Sequence, residues 1–525
     1  MTRWFFGQGY SLGVDSSDPA INLIFDQVRY SLLINSAANN LAALLDTIFP
    51  KVKPPEGLVA FARHGKSMGM GGMLYIHPRQ IALINQINQP QKAEVLRARR
   101  LMDVAYGQPG AFRFEGEMID APVQERAMRL LSECHESSGK YTNINRNGIK
   151  TMIIRSAVLR QSGVSKPFEQ TLPLHVEEIS LSGPGPGEVL VEMIAAGLCH
   201  SDLSVITGVR PRPLPMSLGH EASAKIVEVG SGVDNVKPGQ MVALVFVPSC
   251  GHCSPCMEGR PALCEPGGEA NARGELLGGH HRLSQADTTI NHHCGVSAFS
   301  DHAVVSARSC IPIGEDIDPI EAAVFGCAVL TGVGAVVNTG QVRPGSSALI
   351  VGLGGVGLSA LLGAFASGAN PVIAVDVHQS KLDLARELGA DLTVNAKDPD
   401  AVQHIREFTK GGVDYAFEFA GSVSAMQLAY ASTRRGGTTV TAGLPHPDDK
   451  WPLQQLSLTA EERTVKGSYV GSCIPARDIP RYIALYRAGK LPINKLIGER
   501  FKLEDINVGF DRLASGNSLR DLIVF

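Results

Sequence analysis

A glycine-rich turn between a predicted strand and a predicted helix is the feature that most constrains how this chain can fold. Gly352, Gly354 and Gly357 follow the apolar residues 348–351 and precede an apolar helical pattern that extends to about Ala366. Glycines in such a turn let the backbone approach a pyrophosphate, whose charge the start of the next helix stabilises. The pattern predicts an α/β domain, a doubly wound parallel sheet that binds a dinucleotide. Further strands are predicted at 372–375, 413–419 and 438–442.

A carboxylate at the end of the second predicted strand indicates which dinucleotide is bound. Asp376 lies 19 residues after Gly357. An acid at this place bonds the ribose 2′-hydroxyl and repels a 2′-phosphate, so the sequence predicts NAD rather than NADP. The alternative is a surface acid at a strand end, which the spacing makes the less favoured interpretation.

Four cysteines are concentrated in one short loop. Cys250, Cys253, Cys256 and Cys264 give the pattern C-x2-C-x2-C-x7-C. This spacing is too tight for a disulfide framework and residues 1–10 lack the features of an export signal, so metal-binding thiolates are the favoured interpretation. Because four thiolates fill every position of tetrahedral zinc, the loop predicts a structural zinc site.

A second set of possible metal ligands is spread along the chain. Cys199, His220 and Cys327 supply two thiolates and one imidazole, which would leave the fourth position of a zinc ion open to water or substrate. Taken singly, each residue is more simply explained by core packing or by a satisfied polar contact. The neighbouring motifs are the reason to interpret the three residues together as one set of metal ligands.

The order and approximate spacing of these motifs resemble the zinc-containing medium-chain alcohol dehydrogenases. The likeness rests on Cys199-His-Ser-Asp202, Gly219-His-Glu221, the four-cysteine loop and the glycine turn, and covers roughly residues 152–525. It implies an oxidoreductase that transfers a hydride between an alcohol and NAD, giving an aldehyde or a ketone. It also implies two zinc ions per chain, one catalytic and one structural, and a homo-oligomer, either a dimer or a tetramer. The implied segments are a GroES-like β-rich catalytic domain at 152–326, a Rossmann NAD-binding domain at 327–468 and a C-terminal return to the catalytic domain at 469–525.

The same resemblance implies a role for individual residues. Cys199, His220 and Cys327 correspond to the ligands of the catalytic zinc. Ser201 corresponds to the hydroxyl that bonds the alcohol and takes its proton. Asp202 and Glu221 correspond to acids behind the ligands, with Asp202 orienting the imidazole. The implied cofactor contacts are His200, Gly352, Gly354, Gly355, Val356, Gly357, Asp376, Lys381 and Arg520.

The sequence allows more than one interpretation of several residues. Ser204 stands where many relatives place a histidine at the end of a proton relay. His200 is equally well explained as a contact to the pyrophosphate and as a turn residue beside the zinc. Phe246 is either an aromatic wall of the substrate pocket or a core residue. Two histidine pairs indicate a solvated or pocket-lining loop rather than a third metal site: His280, His281, His292 and His293.

The first quarter of the chain has a different sequence pattern. Residues 69–78 and 114–123 resemble the C-terminal part of citrate-lyase-β-like (HpcH/HpaI aldolase type) proteins, which implies a partial β/α-barrel fragment over 1–136, followed by a polar linker at 137–151. Tyr10 and Met73 depart from that family, whereas Asp120 matches one of its acids. A gene-fusion remnant or an artefact of gene prediction, with little activity of its own, is the favoured interpretation. The alternative is a bifunctional fusion whose lyase-like module is completed by a partner chain.

Composition excludes some classes of partner. The formal net charge is −3 and charged residues make up 19% of the chain, so the basic face expected for a nucleic-acid partner is not indicated. No apolar run approaches the ~20 residues needed to span a bilayer. The sequence therefore predicts a cytoplasmic enzyme that acts on a small-molecule alcohol or aldehyde, with neither nucleic acid nor membrane as a partner.

Overall fold

The computed structural model describes residues 19–38, 45–46, 55–68, 70, 72–74, 77–88, 97–98, 101, 112–115, 117–119, 123, 143–144, 150–516 and 518–525. The chain divides into two compact units, Met1–Lys140 and Tyr141–Phe525. The residues predicted to bind zinc and cofactor all belong to the second unit.

The first unit combines helices with short strand pairs. Its helices are Pro19–Ala38, Pro55–Met68 and Pro78–Asn88, and its strands are Leu45–Asp46, Gly72–Met73, Phe112–Phe114 and Glu117–Ile119. The first two strands pair in parallel and the last two pair antiparallel. Met73 is buried in a small apolar cluster with Leu58, Ala62 and Ile84. Tyr10 and Asp120 lie outside the described residues.

The second unit begins with a sheet that closes into a ring. Met216–Ser217 pairs with Thr288–His292 on one side and with Lys150–Leu159 on the other, so five strands form a closed circuit. Closure leaves few unpaired strand edges. Its apolar interior includes Ile154 and Leu181. The strand order is Asn143–Ile144, Lys150–Leu159, Leu174–Ser182, Leu283–Gln285, Thr288–His292 and Met216–Ser217.

A seven-stranded sheet positions the residues around the open metal site. The long strand Glu188–Gly197 lies at its centre and leads directly into Cys199. It pairs on one side with Arg520–Val524, so the end of the chain returns to this sheet. The order is Cys310–Pro312, Met241–Leu244, Ala222–Val229, Glu188–Gly197, Arg520–Val524 and Ile497–Phe501, with His302–Ser306 also pairing with Glu188–Gly197.

The predicted parallel sheet is confirmed. Six parallel strands have the sequence order 3-2-1-4-5-6, which is the doubly wound arrangement of dinucleotide-binding domains. The strands across the sheet are Leu392–Asn395, Val372–Asp376, Ala348–Val351, Val413–Glu418, Thr433–Thr441 and Thr464–Gly467. Thr433–Thr441 begins earlier than predicted because Thr433 pairs with Val413 across a register shift that the glycines at 436–437 concealed in the sequence.

Helices cover the parallel sheet and connect the strands. Gly355–Ala366 is buried along nearly its whole length and packs against Ala328–Gly334. The other helices are Phe168–Thr171, His200–Ile206, Ser254–Met257, Glu265–Arg273, Pro319–Ala322, Gln379–Glu387, Ala401–Phe408, Val423–Ser432, Gln455–Ala460, Pro475–Arg487 and Ile506–Ser515. Within the described ranges no single helix is long and apolar enough to cross a membrane. One bent pair of helices, Pro319–Gly326 with Ala328–Gly340, is together long and apolar enough by length and composition alone.

The predicted linker at 137–151 needs correction. Asn143–Ile144 pairs antiparallel with the start of Lys150–Leu159, and that strand begins two residues before Met152. Residues 145–149 lie outside the described residues. The linker prediction was wrong at 143–144 and at 150–151, because a short edge strand can carry the same polar composition as a linker.

Candidate zinc and cofactor site

The three residues of the predicted open metal site converge in the structure. The sulfur atoms of Cys199 and Cys327 and a ring nitrogen of His220 all lie within 4.8 Å of one another, and all three residues are buried. Cys199 immediately precedes the helix His200–Ile206, and Cys327 immediately precedes Ala328–Gly334. The fold thus brings together ligands from three distant segments.

The chemistry of this donor set fits a zinc ion. His220 Nδ1 lies 3.0 Å from Asp202 Oδ2, which leaves Nε2 as the nitrogen free to face the two sulfurs. Nε2 is buried and has no hydrogen-bond partner in the described part of the chain. A buried polar atom without a partner costs about 1–3 kcal/mol, a penalty that metal coordination would remove. Three ligands of this kind leave one position of a tetrahedral ion open.

Asp202 supports the site by holding two imidazoles at once. Its Oδ1 lies 3.0 Å from His293 Nδ1 and accepts a hydrogen bond from the Gly219 amide at 3.1 Å, while Oδ2 faces His220. Burial acts to raise the pKa of Asp202, but the charges and hydrogen bonds of His220 and His293 lower it to about 2. The carboxylate is therefore ionised and fixes the orientation of His220.

His293 is the residue at this site that sequence reasoning missed. Its side chain is buried and its ring lies edge-on to His220, with the ring centroids 5.7 Å apart. His292 is buried as well and accepts a hydrogen bond from the Arg282 amide at 3.0 Å. Of the two alternatives predicted for these histidines, a solvated or a pocket-lining loop, the buried pair His292 and His293 does not fit the first, whereas His280 and His281 are exposed. The sequence carried no signal for His293, because its partner Asp202 lies 91 positions earlier.

Glu221 and Arg520 form a buried ion pair behind Cys199. Arg520 Nε donates to Glu221 Oε2 at 2.7 Å, and Arg520 Nη1 donates to the Leu198 carbonyl at 3.1 Å. Glu221 Oε1 accepts from the Ala328 amide at 2.6 Å. Burial raises the pKa of Glu221, against the positive charge of Arg520. The pair thus connects the strand Arg520–Val524 to the helix that follows Cys327.

The surroundings favour a thiolate at Cys199. A hydrogen bond from Cys327 lowers the pKa of Cys199 well below its usual range, against the effect of burial, and the charges of Arg520 and His220 lower it further. Since the thiolate is the form that binds metals, Cys199 is prepared for that role.

Two aromatic rings lie beside the ligand His220. The Phe246 ring is 5.2 Å from the His220 ring and edge-on to it, and the Tyr469 ring is 6.5 Å from Phe246. Tyr469 is 45% exposed, so this side of the site is open to solvent. Of the two interpretations of Phe246, this position favours a wall beside the metal site.

The hydroxyl groups of Ser201 and Ser204 have different surroundings. The Ser201 hydroxyl lies 3.8 Å from the Cys199 sulfur. Ser204 donates its hydroxyl proton to the His200 carbonyl at 2.7 Å, a bond within its own helix. Desolvation of the imidazole lowers the pKa of His200, against the charge of Cys199, and the positive charges of Arg520 and Lys381 lower it further. Lys381 and Arg520 therefore form one basic group near His200 and the ligand Cys199.

The glycine turn has the conformation that an approaching phosphate needs. Gly352 has φ +89°, and a Cβ on Gly357 would collide with the Gly352 carbonyl. A Cβ on Gly354 would meet no atom within 4 Å, so the turn is open at that residue. Gly355 and Val356 begin the following helix. The Arg520 side chain lies against Gly355, which brings the basic group to the turn.

Asp376 lies where the sequence predicts it, at the end of Val372–Asp376. Its Oδ2 accepts from the Leu353 amide at 2.7 Å and its Oδ1 accepts from the His378 amide at 2.9 Å. The carboxylate is thus tied to the backbone of the glycine turn. Each oxygen retains a second lone pair for a hydroxyl donor.

The four-cysteine loop folds so that its sulfurs meet. The sulfur atoms of Cys250, Cys253, Cys256 and Cys264 lie within 4.8 Å of one another. The Cys253 amide approaches the Cys250 sulfur at 3.3 Å, and the Cys250 amide approaches the Cys264 sulfur at 3.2 Å. Against burial, the amides of His252 and Cys253 lower the pKa of Cys250 to about 6. Backbone donors aimed at sulfur stabilise thiolates, so this set also fits zinc.

Comparisons with known proteins agree with these features. Residues 185–315 match the family model described as alcohol dehydrogenase GroES-like domain, and residues 355–488 match the one described as zinc-binding dehydrogenase. The Mycobacterium tuberculosis protein named "Putative alcohol dehydrogenase D" is 40% identical over 362 residues, which cover 68% of this chain and 98% of that protein.

Two further proteins have comparable similarity. The S-(hydroxymethyl)glutathione dehydrogenase of Paracoccus denitrificans is 36% identical over 368 residues, which cover 68% of this chain and 98% of that protein. The crystal structure of benzyl alcohol dehydrogenase from Acinetobacter calcoaceticus superposes with a TM-score of 0.67 at 32% identity, covering 71% of this chain and 99% of that one.

Proposed function

The chain belongs to the zinc-dependent medium-chain alcohol dehydrogenase family, and we propose that it transfers a hydride from an alcohol to NAD, forming an aldehyde or a ketone. Membership establishes an oxidoreductase that acts on alcohols. The identity of the nicotinamide cofactor, the number of zinc ions and the roles of single residues form the proposal.

The observation that carries the proposal is the open three-ligand set. Cys199, His220 and Cys327 place two sulfurs and a nitrogen within 4.8 Å of one another, and Asp202 fixes the imidazole. Because three ligands leave one position free, this set suits catalysis, whereas the four thiols of the cysteine loop suit a structural zinc.

Each residue beside the open site has a distinct part in the proposed reaction. When bound there, zinc acts as a Lewis acid and lowers the pKa of an alcohol hydroxyl. Ser201, whose hydroxyl lies 3.8 Å from the Cys199 sulfur, accepts the alcohol's proton while passing its own hydroxyl proton to solvent water, so one proton is released for each hydride transferred. Phe246, whose ring lies 5.2 Å from the His220 ring, forms an aromatic wall for the alcohol, and Tyr469 stands at the solvent-exposed edge of the site. Ser204 is bonded to the His200 carbonyl and does not extend the proton path.

The cofactor contacts follow from the glycine turn. The open face at Gly354 and the start of the helix Gly355–Ala366 receive the pyrophosphate. Arg520 and Lys381 add positive charge on that side, and their charges lower the pKa of His200, which favours its neutral form. Asp376 accepts hydrogen bonds from the ribose hydroxyls and repels a 2′-phosphate, which favours NAD. Arg520 keeps its bond to Glu221, so we propose that its remaining guanidinium N–H groups face the pyrophosphate.

A panel of alcohols tests the proposal. Purified protein, loaded with zinc, is mixed with NAD and with primary, secondary and benzylic alcohols, and NADH is followed at 340 nm. At least one alcohol is expected to drive NADH formation, and replacing NAD by NADP should reduce the rate. Absence of NADH and NADPH formation with every alcohol, in protein that retains its zinc, would contradict the proposal.

A further inference from the structure

Two arginines lie in the loop that joins two parts of the open metal site. Arg210 and Arg212 follow the helix His200–Ile206 and precede His220. Pro211 and Pro213 alternate with them, and each proline fixes its own φ, so the loop has little conformational freedom. Both arginines are half-buried. The loop therefore holds two positive charges in nearly fixed positions.

These guanidinium groups have no acidic partner in the described part of the chain. Arg212 Nε is buried there without any hydrogen-bond acceptor. Arg210 donates through Nη2 to the Pro445 carbonyl at 3.1 Å, and its other side-chain donors are unused. Neither residue forms a salt bridge within the same described ranges, whereas buried Arg520 is paired with Glu221. Two adjacent arginines without a carboxylate are an arrangement that an anion would stabilise.

The loop of the two arginines lies near Tyr469, since Arg210 bonds the carbonyl of Pro445, whose neighbour Leu444 lines one cavity with Tyr469. The positive charge of Arg212 acts on the Tyr469 hydroxyl, where it opposes the burial that raises the pKa of Tyr469. Burial and the charge of Arg212 lower the pKa of Arg210, so these two groups repel each other. Tyr469 stacks edge-on against Phe246, which in turn lies against the ligand His220. A molecule that enters past Tyr469 with its hydroxyl at the metal thus has its far end toward the arginines.

We propose that Arg210 and Arg212 bind an anionic group, a carboxylate or a phosphate, at the end of the substrate alcohol opposite its hydroxyl. The inference rests on the proposed function, because it specifies the alcohol class that the same site accepts. A planar guanidinium binds either group through two parallel hydrogen bonds. The two aromatic rings between the arginines and the metal suit an aromatic or extended spacer in such an alcohol.

Three alcohols that share a benzyl alcohol core and differ in charge test this assignment. The measured quantity is kcat/KM with NAD for 4-(hydroxymethyl)benzoate, 4-(hydroxymethyl)phenyl phosphate and neutral benzyl alcohol. The wild type should prefer at least one anionic alcohol over benzyl alcohol by about tenfold or more. Comparing the two anionic alcohols shows whether a carboxylate or a phosphate is recognised.

Three variants distinguish a loss of anion recognition from a general loss of enzyme activity. Arg212→Met should remove most of the preference while leaving kcat/KM for benzyl alcohol within about threefold of the wild type. Arg212→Lys should restore part of it, because lysine keeps the charge and loses the planar fork. Arg273→Met is the matched control, since Arg273 is an exposed arginine paired with Glu275, and its preference should equal that of the wild type.

A binding measurement keeps the result independent of turnover. Calorimetry compares 4-carbamoylbenzoate with benzamide, and the anion should bind more tightly to the wild type than to Arg212→Met. If no alcohol is oxidised but this difference is present, the proposed function fails and the anion site stands. Equal kcat/KM for the neutral and both anionic alcohols, or a loss in Arg212→Met that is the same for all three, would overturn the inference.

Discussion

The carboxylate of Asp202 holds two imidazoles, and only one of them belongs to the proposed zinc ligands. His220 faces the sulfurs, while His293 meets the other carboxylate oxygen at 3.0 Å and stacks edge-on against His220. Groups that position a ligand from behind commonly change metal affinity when they are removed. His293 therefore acts as a positioning residue for the zinc site.

Replacing His293 tests this positioning role. His293→Leu leaves Oδ1 of Asp202 with the Gly219 amide alone, so zinc affinity at the open site should fall by about 10–100-fold, and kcat should fall with it. His293→Asn keeps an N–H donor near the position of Nδ1 and should recover most of the affinity. Competition with a chelating dye measures the affinity. Equal zinc affinity in His293→Leu and the wild type would show that Asp202 needs no second histidine.

Asp376 determines the choice of cofactor in the proposed mechanism. Asp376→Ser removes the charge that repels a 2′-phosphate, so the ratio of kcat/KM for NAD over NADP should fall by roughly tenfold or more. Asp376→Asn removes the charge and keeps one acceptor oxygen, which can serve the Leu353 amide but not the His378 amide as well, so it separates repulsion of the 2′-phosphate from the bond to the glycine turn. Unchanged selectivity in both variants would reject the ribose role.

Single residues differ in how well the sequence predicts them. Cys199, His220 and Cys327 are residue types that together suit zinc, and the resemblance implies that they hold the catalytic ion, so the set could be predicted before its geometry was known. Arg520 was predicted only as a cofactor contact, and its ion pair with Glu221 became visible in the fold because the two are 299 positions apart. His293 was missed for the same reason: long-range pairing leaves no local pattern.

The central strands of the parallel sheet were predictable because Ala348–Val351 and Val372–Asp376 are buried along their whole length. Leu392–Asn395 and Thr464–Gly467 were not predicted, because they are partly exposed and carry polar residues. The strand at 348–351 has the predicted bounds, and Asp376 ends its strand as expected. The predicted linker contained strands because polar edge strands resemble linkers in composition. The four-cysteine loop was the most secure local prediction, since its ligands all lie within one short segment.

The four-cysteine loop is expected to stabilise the fold through its zinc ion. Cys253→Ser removes one of four sulfurs, so the loop should lose its zinc and the thermal midpoint should fall, because structural zinc contributes directly to folding. The Cys310→Ser variant is a control for a buried cysteine outside both sulfur sets. Differential scanning calorimetry with zinc analysis provides the comparison. A variant that keeps full zinc content and the wild-type midpoint would contradict the structural role.

At the scale of the whole molecule, the family match begins well after the N-terminus. The M. tuberculosis relative matches over 98% of its own length and 68% of this chain. The first unit ends at Lys140, and none of the residues proposed to bind zinc or NAD belong to it. The second unit therefore contains the whole proposed dehydrogenase.

Expression of Tyr141–Phe525 alone tests this division. The shortened chain should fold and oxidise the best alcohol with kcat/KM within about twofold of the full chain, because the first unit supplies no ligand or cofactor contact. Circular dichroism and NADH formation are the measurements. Retained folding with lost activity would show that the first unit contributes to the reaction, and an acyl-CoA lyase assay of the full chain would then test the bifunctional alternative.

Zinc content and NADH formation, measured together on the wild type and on Cys199→Ala, test the central claim most directly. The wild type should contain about two zinc ions per chain and form NADH with its best alcohol, whereas Cys199→Ala should contain about one, fold normally and form none. A Cys199→Ala protein that keeps both zinc ions and a rate close to the wild type would contradict the catalytic role of the open site.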